Sequence, residues 1–167
     1  MDYFRKRVLA KACASYRSTS EFVCWKDART ILLIFDSDEA EQNSGMRIAI
    51  DKIEAEGKRV TECMFVDKKK AVTSSIDDRI VVDRNGIDWL GRPSSVAATQ
   101  LMENGQFDIV VSLSEKETMT YVAMAVEAKM KCGRQNSNHV LDFQIEGDMG
   151  QEQVLEEIVR YLNMIKN

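Results

Sequence analysis

The chain has few of the residues and motifs on which catalytic chemistry usually depends. Among its 167 residues there is one histidine, His139, and one proline, Pro93. No G-x-G-x-x-G, G-x-x-x-x-G-K-S/T or G-x-S-x-G segment occurs in the sequence. We therefore expect no dinucleotide cofactor, no phosphate-binding glycine loop and no hydrolase serine. Any catalytic triad or metal site that requires histidine must use His139.

Cysteine and long apolar runs are also scarce. The sequence contains four cysteines without C-x-x-C spacing: Cys13, Cys24, Cys63 and Cys132. We expect these thiols to be reduced and mostly buried, as is usual in the cytoplasm. No apolar run approaches the ~20 residues that a membrane span needs, and Lys11 interrupts the apolar stretch Val8–Ala14. The sequence therefore predicts a cytoplasmic protein without a secretion signal.

The charge is small overall but unevenly distributed. The formal net charge is −4, which argues against a nucleic-acid partner. Residues 1–29 contain seven basic and three acidic residues, a net charge of +4, which leaves −8 on the remainder. Residues 1–18 could lie on an anionic membrane surface or dock a partner protein, and a solvated or self-docking helix is the alternative without a partner.

Two apolar runs predict the architecture. Ile31–Phe35 and Ile109–Leu113 are short and continuous, as strands buried on both faces of a parallel sheet are. Each run leads into a helical segment, and strands that alternate with helices form right-handed crossovers. The sequence therefore predicts a three-layer α/β domain, Rossmann-like or flavodoxin-like, with a mostly parallel sheet and helices on both faces.

The length of the chain favours one compact domain. We place a basic helical arm and connector at residues 1–28 and a single α/β domain at residues 29–167. Within the arm, a spacing of four predicts an apolar face formed by Phe4, Val8, Ala12 and Tyr16. Further patterns predict a helix at Asp38–Glu56, a helix from Pro93 to Asn104, a helix at Glu117–Ala128, a strand at Lys129–Cys132, and an antiparallel or edge strand near Val140–Ile145.

Polar side chains follow the two central strands. Asp36 and Ser37 follow the first apolar run, and Ser112 and Ser114 lie at the end of the second. In open parallel sheets, ligands bind at the carboxyl ends of neighbouring strands. We therefore predict a small-ligand crevice at these four residues. Hydroxyl groups that cap local turns explain the same residues without a ligand.

The segment Phe35-Asp36-Ser37-Asp38 resembles the first motif of the haloacid dehalogenase phosphatases. The resemblance implies that Asp36 attacks phosphorus, that Asp38 acts as acid and base, and that Mg²⁺ screens the charges. It also implies a metal-binding acid and a charge-neutralising lysine, for which the chain offers Asp148 with Glu152, and Lys116 or Lys129. The next residues are E-A-E where that family has Gly-Thr, and a helix cap at Asp38 is the structural alternative.

A second catalytic alternative is a nucleophilic pair of Cys132 and His139. Lys131 and Arg134 flank this cysteine, and nearby cations stabilise a thiolate. An ordinary packed thiol is the alternative without chemistry. Because every catalytic set is incomplete, the sequence favours a non-enzymatic binding or interaction module with no cofactor, whose partner is a small molecule or a protein.

Several segments together resemble an uncharacterised protein family of the Bacteroidota. They are DARTILLIF at 27–35, GKRV at 57–60, IDWLGRP at 87–93, FDIVVSLS at 107–114, KMKCG at 129–133 and YLNMI at 161–165. This resemblance implies fold and lineage but no activity. More distantly, residues 107–133 are similar to the acceptor-binding half of heptosyltransferase-type GT-B glycosyltransferases, which implies an orphan acceptor-type domain as a further alternative.

Overall fold

The computed structural model describes residues 2–16, 21–37, 44–68, 79–135 and 140–165. The helices in these ranges are α1 (Asp2–Ser15), α2 (Ser44–Ala55), α3 (Val96–Asn104), α4 (Glu117–Ala125) and α5 (Gln151–Met164). The strands are β1 (Thr30–Ser37), β2 (Arg59–Val66), β3 (Arg79–Asp83), β4 (Gln106–Ser112), β5 (Glu127–Arg134) and β6 (Phe143–Ile145). Two short 3₁₀ turns lie at Trp25–Asp27 and Arg84–Gly86.

The six strands form one parallel sheet in the order β3-β2-β1-β4-β5-β6. Ile31 of β1 lies opposite Ile109 of β4, so the two apolar runs are neighbours, as predicted. This strand order is that of Rossmann-like sheets and differs from the flavodoxin-like order. It reverses between β1 and β4, and in such folds ligands bind at the carboxyl ends of the strands at that point.

Helices cover both faces of the sheet because β1 is apolar on both sides. Ile31, Leu33 and Phe35 pack into one core with α2 and α5. Leu32 and Ile34 pack into the other core with residues of α1, α3 and α4. Successive side chains of a strand point to opposite faces, and all five of these are at most 1% exposed. The predicted three-layer α/β fold is therefore confirmed.

The segment before β1 contacts both layers of helices. α1 packs against α4 and buries Leu9 and Cys13. The predicted apolar face of Phe4, Val8, Ala12 and Tyr16 is not the buried face of α1, because Leu9 and Cys13 are the buried residues and Phe4 is 57% exposed. Trp25 lies in the opposite core, beside α2 and α5. The division into an arm and a domain at residue 28 stays a prediction.

Some element boundaries differ from the predictions. Pro93 forms an antiparallel bridge with Ile87 and does not open α3; Ser95 caps that helix by accepting from the Ala98 N–H. The chain is already extended at Glu127 and Ala128, because these residues pair with the start of β4. β6 is the predicted edge strand and runs parallel to β5. The first six residues of the predicted helix at Asp38–Glu56 lie outside the described residues.

Candidate functional site

Polar residues from β1 and from the loop after β4 meet where the strand order reverses. β1 ends with Asp36 and Ser37, and the chain after β4 continues through Leu113 and Ser114. The Leu113 N–H donates to the Ile34 carbonyl at 2.7 Å, so the contact with β1 continues one residue past the end of β4. We call this region, from Asp36 and Ser37 to 112–116, the β1–β4 edge.

The side chains of Asp36 and Ser114 are in direct contact. The Ser114 hydroxyl donates to Asp36 Oδ1 at 2.5 Å and accepts from the backbone N–H of Lys116 at 3.1 Å. The backbone N–H of Glu115 also donates to the Asp36 carboxyl group. The loop after β4 therefore presents two donors to one carboxylate that a different strand supplies.

The backbone of Asp36 is held by Gln151, the first residue of α5. The Asp36 N–H donates to Gln151 Oε1 at 2.7 Å, and Gln151 Nε2 donates to the Asp36 carbonyl at 2.9 Å. This pair of hydrogen bonds satisfies both backbone groups of Asp36. The hydrogen bonds that hold the Asp36 backbone therefore come from Gln151 and not from its own carboxyl group.

Burial sets the acidity of Asp36. Removal from water raises its pKa above the ordinary aspartate range, because desolvation disfavours the charged form. The hydrogen bond from Ser114, the N–H of Glu115 and the positive charge of Lys116 only partly offset that effect. Asp36 is therefore a partly buried acid at the β1–β4 edge.

The three predicted serines are all buried. Ser37 is 7% exposed, Ser112 is 2% exposed and Ser114 is 3% exposed. Ser112 lies opposite Ile34 on one side and Gly133 on the other. Asp36 is only partly buried, so it is the better candidate for direct contact with a ligand, and Ser114 acts on it through their hydrogen bond.

Arg134, which the sequence analysis assigned to the thiolate of Cys132, braces the same region. Arg134 donates from Nε to the Leu113 carbonyl at 3.3 Å and from a terminal nitrogen to the Met149 carbonyl at 2.6 Å. It also lies 3.5 Å from the Glu115 carboxylate. Its side chain is 10% exposed. Arg134 therefore joins the loop after β4 to the loop before α5.

The residues of the phosphatase alternative are only partly described. Asp38 lies outside the described residues, and Asp148 is exposed in the loop after β6. Within the described ranges, no group of three histidine, cysteine, aspartate or glutamate side chains could hold a metal ion. The metal site of Asp36 and Asp148 stays a prediction.

Lys129 is wrong as the charge-neutralising lysine, because it lies at the amino end of the sheet. Its Nζ lies 2.8 Å from Asp108 Oδ1. Burial raises the pKa of Asp108, but Lys129 and the N–H groups of Arg29 and Thr30 outweigh burial and bring the pKa to about 2. Thr30, Asp108 and Lys129 line an open groove of about 410 Å³. Their charges are already paired there, so we do not take this groove as the site.

The four cysteines are free and buried, as predicted. Burial raises the pKa of Cys63 to about 12. Burial, with the charge of Glu117, raises the pKa of Cys13 to about 11. Burial also raises the pKa of Cys132, so the predicted thiolate of a Cys132–His139 pair is disfavoured, and His139 lies outside the described residues.

Comparison with known proteins gives a family but no activity. No curated protein and no solved structure matches the chain. The model of a family of unknown function (DUF6913) matches residues 2–165. The chain belongs to this family of unknown function.

Proposed function

We propose that this protein is a cytoplasmic, non-enzymatic binding module for a small ligand that carries hydroxyl or amino groups. The observation that carries the proposal is the contact of Asp36 with Ser114 at the β1–β4 edge. The buried, free cysteines support a reducing compartment. None of the described helices combines the length and the apolar character that a membrane crossing requires.

The chemistry of Asp36 favours a ligand that donates hydrogen bonds. An ionised carboxylate only accepts, and it has about four acceptor positions. In the described part of the chain, Ser114 and the N–H of Glu115 are the donors that reach it. Hydroxyl and amino groups of a ligand would fill the remaining positions, whereas an anionic ligand would be repelled.

We expect Asp36→Asn to weaken binding of such a ligand about 10- to 100-fold, because a hydrogen bond to a charged group contributes about 1.5–3 kcal/mol. Asparagine keeps one oxygen for Ser114, removes the charge and replaces the other oxygen acceptor by an amide donor. The measurement is ligand-observed NMR with polyols, monosaccharides, nucleosides and small amines. Because the pKa of Asp36 is raised, affinity should fall on acidification at a higher pH than an exposed aspartate would give.

Asp51→Asn is the matched control for this experiment. It removes the same charge from α2, where the Asp51 side chain is 62% exposed beside Arg47, and should leave affinity unchanged. Ser114→Ala should weaken binding less than Asp36→Asn, because the carboxylate stays. The proposal fails if no compound of the panel binds, or if Asp36→Asn and Asp51→Asn bind equally well.

A Mg²⁺-dependent phosphatase is the second candidate, and the closeness of Lys116 to Asp36 is the observation in its favour. We expect no hydrolysis of p-nitrophenyl phosphate in the presence of Mg²⁺. Turnover that Asp36→Asn abolishes and Asp51→Asn preserves would replace the binding proposal by this one. The Bacteroidota lineage and the likeness to heptosyltransferase acceptor domains stay predictions, and the monosaccharides in the panel address the second.

A further inference from the structure

The outward face of α1 carries aromatic and basic side chains together. Leu9 and Cys13 are buried against the body. At 100° per residue, Phe4, Arg7, Val8, Lys11, Ala14 and Ser15 lie within about 60° of the opposite direction, and Tyr3 lies about 80° from it. Tyr3 is 76% exposed and Phe4 57% exposed, and both basic residues are exposed. This arc contains no acidic residue, although the chain as a whole has a net charge of −4.

A tight turn beside α1 presents a third aromatic side chain. Trp89 is 71% exposed and follows Asp88, whose carboxylate accepts from the N–H groups of Leu90 at 2.9 Å and Arg92 at 2.8 Å. The Arg92 Nε also donates to that carboxylate at 2.9 Å. The backbone of the turn is therefore fixed while the indole of Trp89 projects into solvent.

The turn is attached to α1 at two points. The Arg5 Nε donates to the Trp89 carbonyl at 2.9 Å. Gly91 has a φ of +88°, and a Cβ there would lie 3.0 Å from the Leu9 side chain, so a glycine lets the turn approach the helix. Arg5 and Leu9 lie about 120° and 160° around α1 from Lys11, so the turn lies against the buried side of the helix and not on the outward arc. We call the outward residues Tyr3, Phe4, Arg7 and Lys11, together with the neighbouring Trp89, the α1 surface.

We infer that the α1 surface docks on a bilayer that contains anionic lipid. Exposed aromatic side chains insert at the level of the headgroups, and lysine and arginine are attracted to anionic lipid. A protein partner would need a pocket for each projecting ring, whereas a fluid bilayer accommodates all three. The charge of +4 on residues 1–29 against −8 on the remainder would orient this side toward the membrane. The inference is independent of the ligand proposed for the β1–β4 edge.

Tryptophan fluorescence tests this inference directly, because the chain has two tryptophans and Trp25 is only 1% exposed. We expect the emission of Trp89 to shift to shorter wavelength with vesicles of phosphatidylcholine and phosphatidylserine. Vesicles of phosphatidylcholine alone should give no shift, and added salt should reverse it. Trp89→Phe should abolish the shift, because it removes the exposed fluorophore. Sedimentation of the wild-type protein with the vesicles should likewise require phosphatidylserine and should be lost in added salt.

Two charge variants test whether anionic vesicles are bound by the cations of the α1 surface or by any exposed cation of the protein. Arg7→Gln with Lys11→Gln should reduce partitioning onto the anionic vesicles about thirtyfold, which corresponds to about 1 kcal/mol for each cation. The matched control is Lys52→Gln with Arg160→Gln, which removes two cations beside the groove between α2 and α5, on the opposite face of the sheet. This control should change partitioning little.

Three results would overturn the inference. One is no emission shift and no sedimentation with anionic vesicles. Another is an equal loss of binding in the two charge variants. The third is binding of soluble polyglutamate in the absence of any response to vesicles, which would assign the α1 surface to an acidic polypeptide.

Discussion

Replacing Trp25 with alanine is expected to lower the free energy of unfolding by about 3–5 kcal/mol, because it deletes a large buried aromatic side chain. Trp25 is 1% exposed, and its Nε1 donates to Glu56 Oε2 at 2.8 Å. Its ring also covers Lys58, whose Nζ lies 5.2 Å from the ring centroid. The expected loss of stability therefore has two causes, the cavity that the indole leaves and the exposure of the buried Lys58 ammonium group. Urea unfolding followed by circular dichroism measures the change.

The other tryptophan provides the control for this prediction. Trp89 is 71% exposed, and Trp89→Ala should change the free energy of unfolding by no more than about 0.5 kcal/mol. Trp25→Phe should fall between the two variants, since it keeps most of the buried ring but loses the hydrogen bond to Glu56. Similar stabilities of Trp25→Ala and Trp89→Ala would contradict the burial of Trp25 in the core beside α2 and α5.

Replacing Gly133 with alanine is expected to cost about 3 kcal/mol or more, at the upper end of what overpacking costs in a dense core. A Cβ at Gly133 would overlap the backbone carbonyl oxygen of Ser112 and would lie 2.8 Å from its carbonyl carbon and 3.0 Å from its amide nitrogen. These are backbone atoms of a buried strand, so no side-chain rotation can relieve the contact. β4 and β5 would have to separate at their carboxyl ends, next to Ser114.

Gly86→Ala is the matched control for this substitution. A Cβ at Gly86 would meet only the Asp83 side chain at 3.5 Å, an ordinary contact. We expect this variant to unfold within about 0.5 kcal/mol of the wild type. If Gly133→Ala is as stable as Gly86→Ala, the close approach of β4 and β5 at this position is wrong. The readout is again the urea midpoint, compared at equal slope of the unfolding transition.

Part of the β1–β4 edge could be predicted from local pattern. Asp36 and Ser114 follow apolar runs, and the carboxyl ends of neighbouring parallel strands lie at one edge of a sheet, so their meeting follows from strand order alone. Gln151 was missed, and Arg134 was assigned to Cys132, because no local signal marks either residue for this site. Gln151 is 115 positions from the residue it holds, and only the packing of α5 on the sheet brings the two together. The role of these residues in ligand binding stays a prediction.

Two lysines show the limit of patterns based on residue type. Lys58 and Lys131 are each 6% exposed, although charged side chains in a sequence are normally assigned to the surface. The Lys58 Nζ donates to the carbonyls of Trp25 at 2.7 Å and Ala28 at 2.9 Å, and Lys131 donates to the Met124 carbonyl at 2.6 Å. Burial lowers the pKa of Lys131 to about 8. Backbone carbonyl groups of other elements accept hydrogen bonds from the two buried ammonium groups and so allow lysine at these positions. Such partners are known only once the chain is folded.

The sequence by itself determined the layered α/β architecture, because strand and helix periods and buried apolar runs are local properties of the chain. It also determined that the cysteines would be buried thiols. The tertiary structure alone decided that Gln151 holds the backbone of Asp36, that Lys129 belongs to the amino end of the sheet, and that α1 turns Leu9 and Cys13 inward and Phe4 outward. Those outcomes depend on register and on packing between distant segments, and residue spacing within one segment carries no information about either.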